Sequence, residues 1–190
     1  MVSVNGREIP EQFESERLII RAPRVRDAAE VNAAVRESIE ELRPWMPWAK
    51  SIMTVDQNRT NLRKARRKYL AGKDFRFNIF LKGTDTFVTG SGLHRVDWSV
   101  PKVEIGYWIR APFSGQGYVT EAVNAITEFA IKHFGAKRVE LRMDDRNERS
   151  WRVAERCGFQ LEGILRNERR RIADGSLGDT RVYAKVFGDE

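Results

Sequence analysis

The run from Lys102 to Val123, KVEIGYWIRAPFSGQGYVTEAV, does more than any other stretch to restrict how this chain can fold. Lys102 to Ile109 has the apolar, β-branched and aromatic content of a strand. From Val119 the apolar positions are Val119, Ala122, Val123, Ile126, Phe129, Ala130 and Phe134, the spacing of an amphipathic helix, with Gly135 placed to cap it. Between strand and helix stand Gly115 and Gly117, two of only 14 glycines in the chain. A strand that enters a glycine turn and leaves it as a helix makes an anion site. The first N–H groups of a helix lack internal acceptors and lie at the positive end of its dipole. Glycines also remove the side chains that would hold a diphosphate away from the backbone.

Two common nucleotide motifs do not fit. A P-loop needs lysine and Ser/Thr after its last glycine, where Tyr118 and Val119 stand; a dinucleotide fingerprint needs Gly or Ala where Thr120 stands.

The flanking segments predict one α/β (α+β) domain over residues 1–190 with a mixed sheet. Arg17 to Ala22 is a short first strand, and Ala28, Val31, Val35, Ile39 and Leu42 mark a helix from Asp27 to Leu42 that stops at Pro44. RPWMPWA, with two prolines, cannot continue it. A charged helix spans Thr54 to Gly72, and Phe75 to Lys82 and Phe87 to Asp97 pair as a hairpin. Arg138 to Met143 is a strand and Asn147 to Arg156 a short helix; Phe159 to Arg171 and Arg181 to Phe187 form a closing hairpin.

No apolar run approaches the ~20 residues needed to cross a bilayer, and no secretory signal is readable at the N-terminus, so a cytoplasmic protein without membrane association is expected. Cys157 is the only cysteine, and His94 and His133 are far apart, which excludes a disulfide within the chain and predicts no metal site. The net charge of +7 fits an anionic partner, with basic runs at Arg63 to Lys68 and Arg166 to Arg171.

An ordered set of segments carries a family resemblance: ERLIIRAPRVRDAAEV, LRPWMPW, VEIGYWI followed by SGQGYVTEAV, RNERSWRVAERCGF, and LEGILRNERRR to DTRVYA. In this set the chain resembles the GNAT superfamily of acetyl-CoA-dependent N-acyltransferases, in its RimJ/RimL-type branch, which acetylates protein N-termini and related amines. The resemblance implies a mostly antiparallel sheet of about seven strands flanked by helices, with acetyl-CoA as co-substrate. It implies that Ser114, Gly115, Gln116, Gly117, Tyr118 and Val119 form the pyrophosphate loop, with backbone amides from Gly115 through Thr120 as its grip. Tyr107, Trp108 and Ile109 are implied to pair their backbone with the pantetheine arm, and Asn147 to contact that arm from the other side. Val119 departs from the glycine or alanine common there. The region of Trp45, Met46 and Trp48 is implied to line the acceptor cleft, although a core role is the commoner fate of tryptophan.

Acetyl transfer needs a neutral amine beside a thioester, a group to take the amine's proton, and hydrogen bonds for the charge that develops. With both substrates bound together, proximity does most of the work and no covalent enzyme intermediate is required. The resemblance implies Glu104 as the proton acceptor. It places Ser150, in the pattern N-x-x-S, near the coenzyme sulfur as a hydrogen-bond donor. Ala154 stands where many other members carry a tyrosine acid. From the residues alone, Glu104 reads equally as a strand-edge carboxylate paired with an arginine and Ser150 as a helix-start serine. Cys157, with no histidine nearby in sequence, reads as a small buried residue.

An α-amino group has a pKa of about 8 and lysine about 10.4, so the neutral fraction at pH 7 differs roughly two hundredfold, about 3 kcal/mol. That favours the N-terminal amine of a protein or peptide, ribosomal-protein-like by family analogy. The competing acceptor is a small-molecule amine, such as an antibiotic, polyamine or amino acid, and a polycation would need an acidic cleft that Glu37, Glu40 and Glu41 are placed to supply. A reading from another class is a basic RNA-binding module with a vestigial coenzyme loop. No aromatic-rich RNA motif supports it, so nucleic acid is expected only through a ribosomal substrate. Related enzymes are often homodimers, and the closing strands are available to pair across subunits.

Overall fold

The computed structural model describes residues 1–188. β1 (Val2–Val4) and β2 (Arg7–Ile9) form a separate antiparallel ribbon. β3 (Gln12–Glu14), β4 (Leu18–Arg21), β5 (Phe75–Leu81), β6 (Phe87–Asp97), β7 (Lys102–Ile109), β8 (Arg138–Asp144), β9 (Gln160–Arg170) and β10 (Leu177–Val186) build one eight-stranded sheet, with β10 between β8 and β9 and the rest in chain order. The strand beyond the expected seven or so includes Gln12–Glu14, whose three residues are too few to show an alternating pattern.

Every neighbouring pair is antiparallel except β7 and β8. These two run parallel, joined by a crossover through α4 (Tyr118–Phe129). Their ladder holds only Lys102↔Arg138, Val103↔Val139 and Glu104↔Glu140. Beyond that point β7 follows β6 as far as Ile109, and β8 follows β10 as far as Asp144, so the sheet opens into a gap with two bare backbone edges.

Alternation along β7 and β8 sorts the side chains onto two faces. Val103, Ile105, Val139 and Leu141 join Val123, Ile126 and Phe129 of α4 in the main core. The other face carries Glu104 and Trp108, and Trp108 packs with Val31, Ala34 and Phe87 beneath α1 (Ala28–Glu37). Arg21 and Asp27, both buried, tie β4 to the start of α1 through two hydrogen bonds of 2.7 and 2.8 Å, and Asn78 donates a third to Asp27.

The helix expected from Asp27 to Leu42 is interrupted. α1 ends at Glu37, Ser38 leaves helical geometry at φ −113°, and α2 (Ile39–Leu42) adds one turn. The Ser38 hydroxyl accepts the Ala111 N–H at 2.8 Å, a tertiary bond that local periodicity does not report. α3 (Val55–Leu70) begins with a reciprocal capping box between Thr54 and Gln57. α4 runs on into a π-helical turn over 130–134 that Gly135 terminates at φ +62°.

Candidate active site

The loop between β7 and α4 is shaped by two left-handed residues, Gly115 at φ +77° and Gly117 at φ +81°, a conformation that strains any side chain. A Cβ placed on Gly115 would meet nothing within 4 Å, so the loop is open above its backbone. The first amide at this end with a backbone acceptor is that of Glu121, bonded to Gly117 O at 3.0 Å. The six amides from Gly115 through Thr120 donate to no acceptor among the described residues. Side chains hold the loop from behind. Arg17 donates to Gln116 O at 3.2 Å, stacks over the Tyr118 ring at 4.3 Å and pairs with Glu121, while Gln116 reaches back to Pro112 O. Arg156, from the neighbouring α5 (Glu148–Arg156), donates to the Thr120 hydroxyl at 3.4 Å, a cation at the loop that sequence reasoning missed. Ser114 is exposed, with its N–H bonded to Ala111 O, and Val119 is half-buried against the core.

The gap between β7 and β8 leads from this loop to a cavity of about 590 Å³. Tyr107, Trp108 and Ile109 line the gap on one side, each paired to β6 and none to β8. On the other side, the Asn147 side chain caps α5 by accepting the Ser150 N–H at 3.2 Å. The Tyr107 hydroxyl donates to Ser150 O at 2.9 Å and lies 3.0 Å from Ser150 Oγ. Burial pushes the Tyr107 phenol well above its ordinary range. Ala154, expected to stand where many other members carry a tyrosine, is fully buried.

The cavity lies on the α1 face of the sheet, and Trp45, Met46 and Trp48 form part of its wall, with Trp48 edge-on to Trp108. Glu104 reaches it from β7 with its side chain 19% exposed. Arg95 Nη1 stands 3.1 Å from Glu104 Oε2 but is not aligned as a hydrogen bond. Burial pushes the Glu104 carboxyl above the usual carboxylate range, against the opposing pull of Arg95 and Arg142.

Opposite Glu104 in the β6–β7 register is His94, whose Nδ1 is 2.7 Å from Asp74 Oδ1. Its ring lies over Gly106, where an added Cβ would approach Cδ2 to 3.3 Å. With Nδ1 committed to Asp74, Nε2 is the nitrogen left for other partners. His94 carried no partner in the sequence, because Asp74 lies 20 residues away and only the hairpin register joins them. Arg76, also on the cavity wall, was missed for the same reason. Burial lowers its pKa, with Asp74 and Asp27 opposing, yet among the described residues it makes no hydrogen bond or ion pair.

Other charges are committed elsewhere. Glu37 pairs with Arg110 and Glu40 with Arg43, and with Glu41 they stay outside the cavity wall, so the acidic cleft expected for a polycation does not form there. In the second basic run, Arg169 and Arg171 face Asp144, and Arg171 also bonds Asp145; Glu168 is engaged by Arg142. This neutralises part of the second basic run; in the first, Arg66 pairs with Glu11 while Arg63, Lys64, Arg67 and Lys68 are exposed. Cys157 is buried and its thiol is pushed up to about 11 by burial, which disfavours the thiolate. Among the described residues no group of His, Cys, Asp and Glu could hold a metal ion, and no helix is long and apolar enough to cross a membrane.

A loop of amides without acceptors among the described residues stands at one end of a strand gap, and a cavity with carboxylate and imidazole groups on its wall at the other; the class of protein with this fold is a transferase that takes its acyl group from a coenzyme A thioester. Residues 17–160 match the acetyltransferase (GNAT) domain, and the chain belongs to that family. The uncharacterized N-acetyltransferase p20 of Bacillus licheniformis is 29% identical over 115 residues, an alignment spanning 60% of this chain and 64% of that protein. The ribosomal-protein-serine acetyltransferase of Escherichia coli (strain K12) is 23% identical over 143 residues, 75% of this chain and 78% of the relative. Among solved structures, RimL, a ribosomal L7/L12 alpha-N-protein acetyltransferase in complex with coenzyme A, superposes with a TM-score of 0.83 at 20% identity over 94% of this chain and 97% of that one. The expected RimJ/RimL-type resemblance, the α/β fold with its mostly antiparallel sheet and acetyl-CoA as co-substrate agree with these relatives.

Proposed function

We propose that this N-acetyltransferase modifies the N-terminal α-amine of a protein or peptide, of the ribosomal-protein kind. The observation that carries the reading is the position of the cavity: it opens from the strand gap, with Glu104 and His94 on its floor and Trp45, Met46 and Trp48 on its wall. The name of the Escherichia coli relative points to a protein amine, as does the lower cost of deprotonating an α-amine.

The six unbonded amides and the open space above Gly115 suit a diphosphate. Ser114 through Thr120 would hold the coenzyme there, and the stretch Tyr107, Trp108 and Ile109, which is not paired to β8, and the Asn147 side chain would hold its arm. When bound, acetyl-CoA supplies an activated acetyl thioester. Glu104 takes the amine's proton, and its raised carboxyl pKa makes it a stronger base than an exposed glutamate. Ser150 would offer its hydroxyl as a hydrogen-bond donor to the thioester sulfur. The bond from His94 to Asp74 favours a second reading, in which His94 Nε2 is the proton acceptor.

The cavity volume also falls within the ~300–1,000 Å³ usual for small-ligand sites, which supports a small-molecule amine as the second acceptor class. A screen of N-terminal peptides against lysine side chains, polyamines and aminoglycosides, with products mapped by mass spectrometry, separates the two. Preferential acetylation of peptide α-amines is expected. Transfer confined to small free amines overturns the protein acceptor.

A further inference from the structure

We infer that the acceptor carries a carboxylate or phosphate near its amine, and that Arg76 is the residue that binds it. The inference rests on the acetyl-transfer reading of the same cavity. Arg76 lines the wall, half-buried, and no carboxylate among the described residues lies within ion-pair distance of its guanidinium. Most neighbouring arginines are spoken for: Arg142 by Glu168, Arg169 and Arg171 by Asp144, and Arg21 by Asp27. A partly desolvated cation without an anion is costly, and a ligand anion removes that cost. The planar guanidinium matches a carboxylate or phosphate in two-point geometry.

Placement fixes which part of the acceptor is read. Arg76 on β5 stands opposite Gly92 on β6, and Gly92 stands opposite Gly106 on β7. A Cβ at Gly92 would come within 3.0 Å of Arg76 Cα and 2.9 Å of His94 Cε1, so this bare glycine stands between the Arg76 backbone and the imidazole. The backbones of β5 and β7 are two strand spacings apart, about 10 Å. An extended chain covers that span in about three residues. An amine held at Glu104 and His94 therefore leaves a group one or two residues along, or a comparable distance away in a small molecule, within reach of Arg76. Among the described residues the cavity wall provides no cluster of free carboxylates for a polycation, in agreement with this sign of charge.

The test uses two matched pairs with the acetyl-CoA-saturated enzyme: N-terminal peptides differing only by glutamate or glutamine at the second position, and phosphoethanolamine against ethanolamine. KM for the anionic member of at least one pair should be lower by about 10- to 100-fold, and the responding pair identifies the source of the anion. Arg76→Gln should erase the preference with coenzyme affinity and kcat nearly unchanged, while Arg76→Lys retains part of it. Calorimetric binding of the same compounds to the enzyme loaded with coenzyme A gives a readout free of turnover and shows whether each variant still takes up coenzyme. Equal KM and equal affinity within both pairs overturn the anion site, as does a preference that survives in Arg76→Gln. Anion-selective binding without acetyl transfer to any amine would instead overturn the acetyl-transfer reading and leave the anion site standing.

Discussion

The Tyr107 hydroxyl and Ser150 meet across the strand gap, 2.9 Å from phenol to carbonyl oxygen and 3.0 Å from phenol to hydroxyl. The contact joins the bare edge of β7 to the first turn of α5. If Tyr107 donates to the carbonyl, the Ser150 proton is free to point into the gap.

Ser150→Ala should therefore lower kcat by about 10- to 100-fold, the range for losing a hydrogen bond to developing charge. Coenzyme affinity should change less than about twofold. Tyr107→Phe should slow turnover less, and the double variant should be no slower than Ser150→Ala, because Tyr107 acts through Ser150. Normal turnover in Ser150→Ala would return that residue to a helix-start role. Steady-state kinetics with calorimetry of coenzyme binding decides it.

Gly117→Glu should abolish measurable coenzyme binding, since it sets a carboxylate at the mouth of the unbonded amides. The left-handed backbone adds strain of its own, so Gly117→Ala serves as the control; it should cost stability of about 1 kcal/mol and weaken binding far less. Unchanged affinity in Gly117→Glu would end the assignment of the loop.

Glu104 makes a prediction in which stability and activity move in opposite directions. Its carboxyl pKa is raised in the fold, so the folded state favours the protonated form. The stability it contributes is fully present below the unfolded pKa and lost as pH rises through the folded one. Glu104→Gln mimics the protonated acid. It should match the wild type in thermal stability near pH 4 and exceed it at pH 7. Its rate should fall, most of all at lower pH, where the acceptor amine is largely charged and a base is most needed. If His94 is the base, His94→Asn produces that rate loss instead, and Glu104→Gln leaves the pH profile unaltered.

Asp27→Ala strands the Arg21 guanidinium in the core over the Phe80 ring, 4.2 Å away, with no carboxylate partner left among the described residues. Breaking a buried ion pair from one side costs about 3–5 kcal/mol. Chemical denaturation should show a loss of that size, and replacing both partners by Arg21→Met with Asp27→Leu should recover only part of it, because Asn78 Nδ2 and the Arg24 N–H also lose Asp27 as acceptor. A loss under about 1 kcal/mol in Asp27→Ala would mean that the pair does not anchor α1.

Much of this protein was legible along the chain. Local rules placed α3 from its capping box, α4 from its apolar spacing and the glycine turn from two residues that tolerate positive φ, because each depends on neighbours within a few positions. The ordered motifs carried the family for the same reason. Tertiary structure alone decided the break at Ser38, whose hydroxyl is claimed by Ala111. It alone set His94 against Asp74 and left Arg76 without a counterion among the described residues, since these depend on how β5, β6 and β7 fall into register. The gap itself belongs to that second group: β7 and β8 part after Glu104 because each keeps its outer partner, and no run of residues in either strand records which neighbour it will follow.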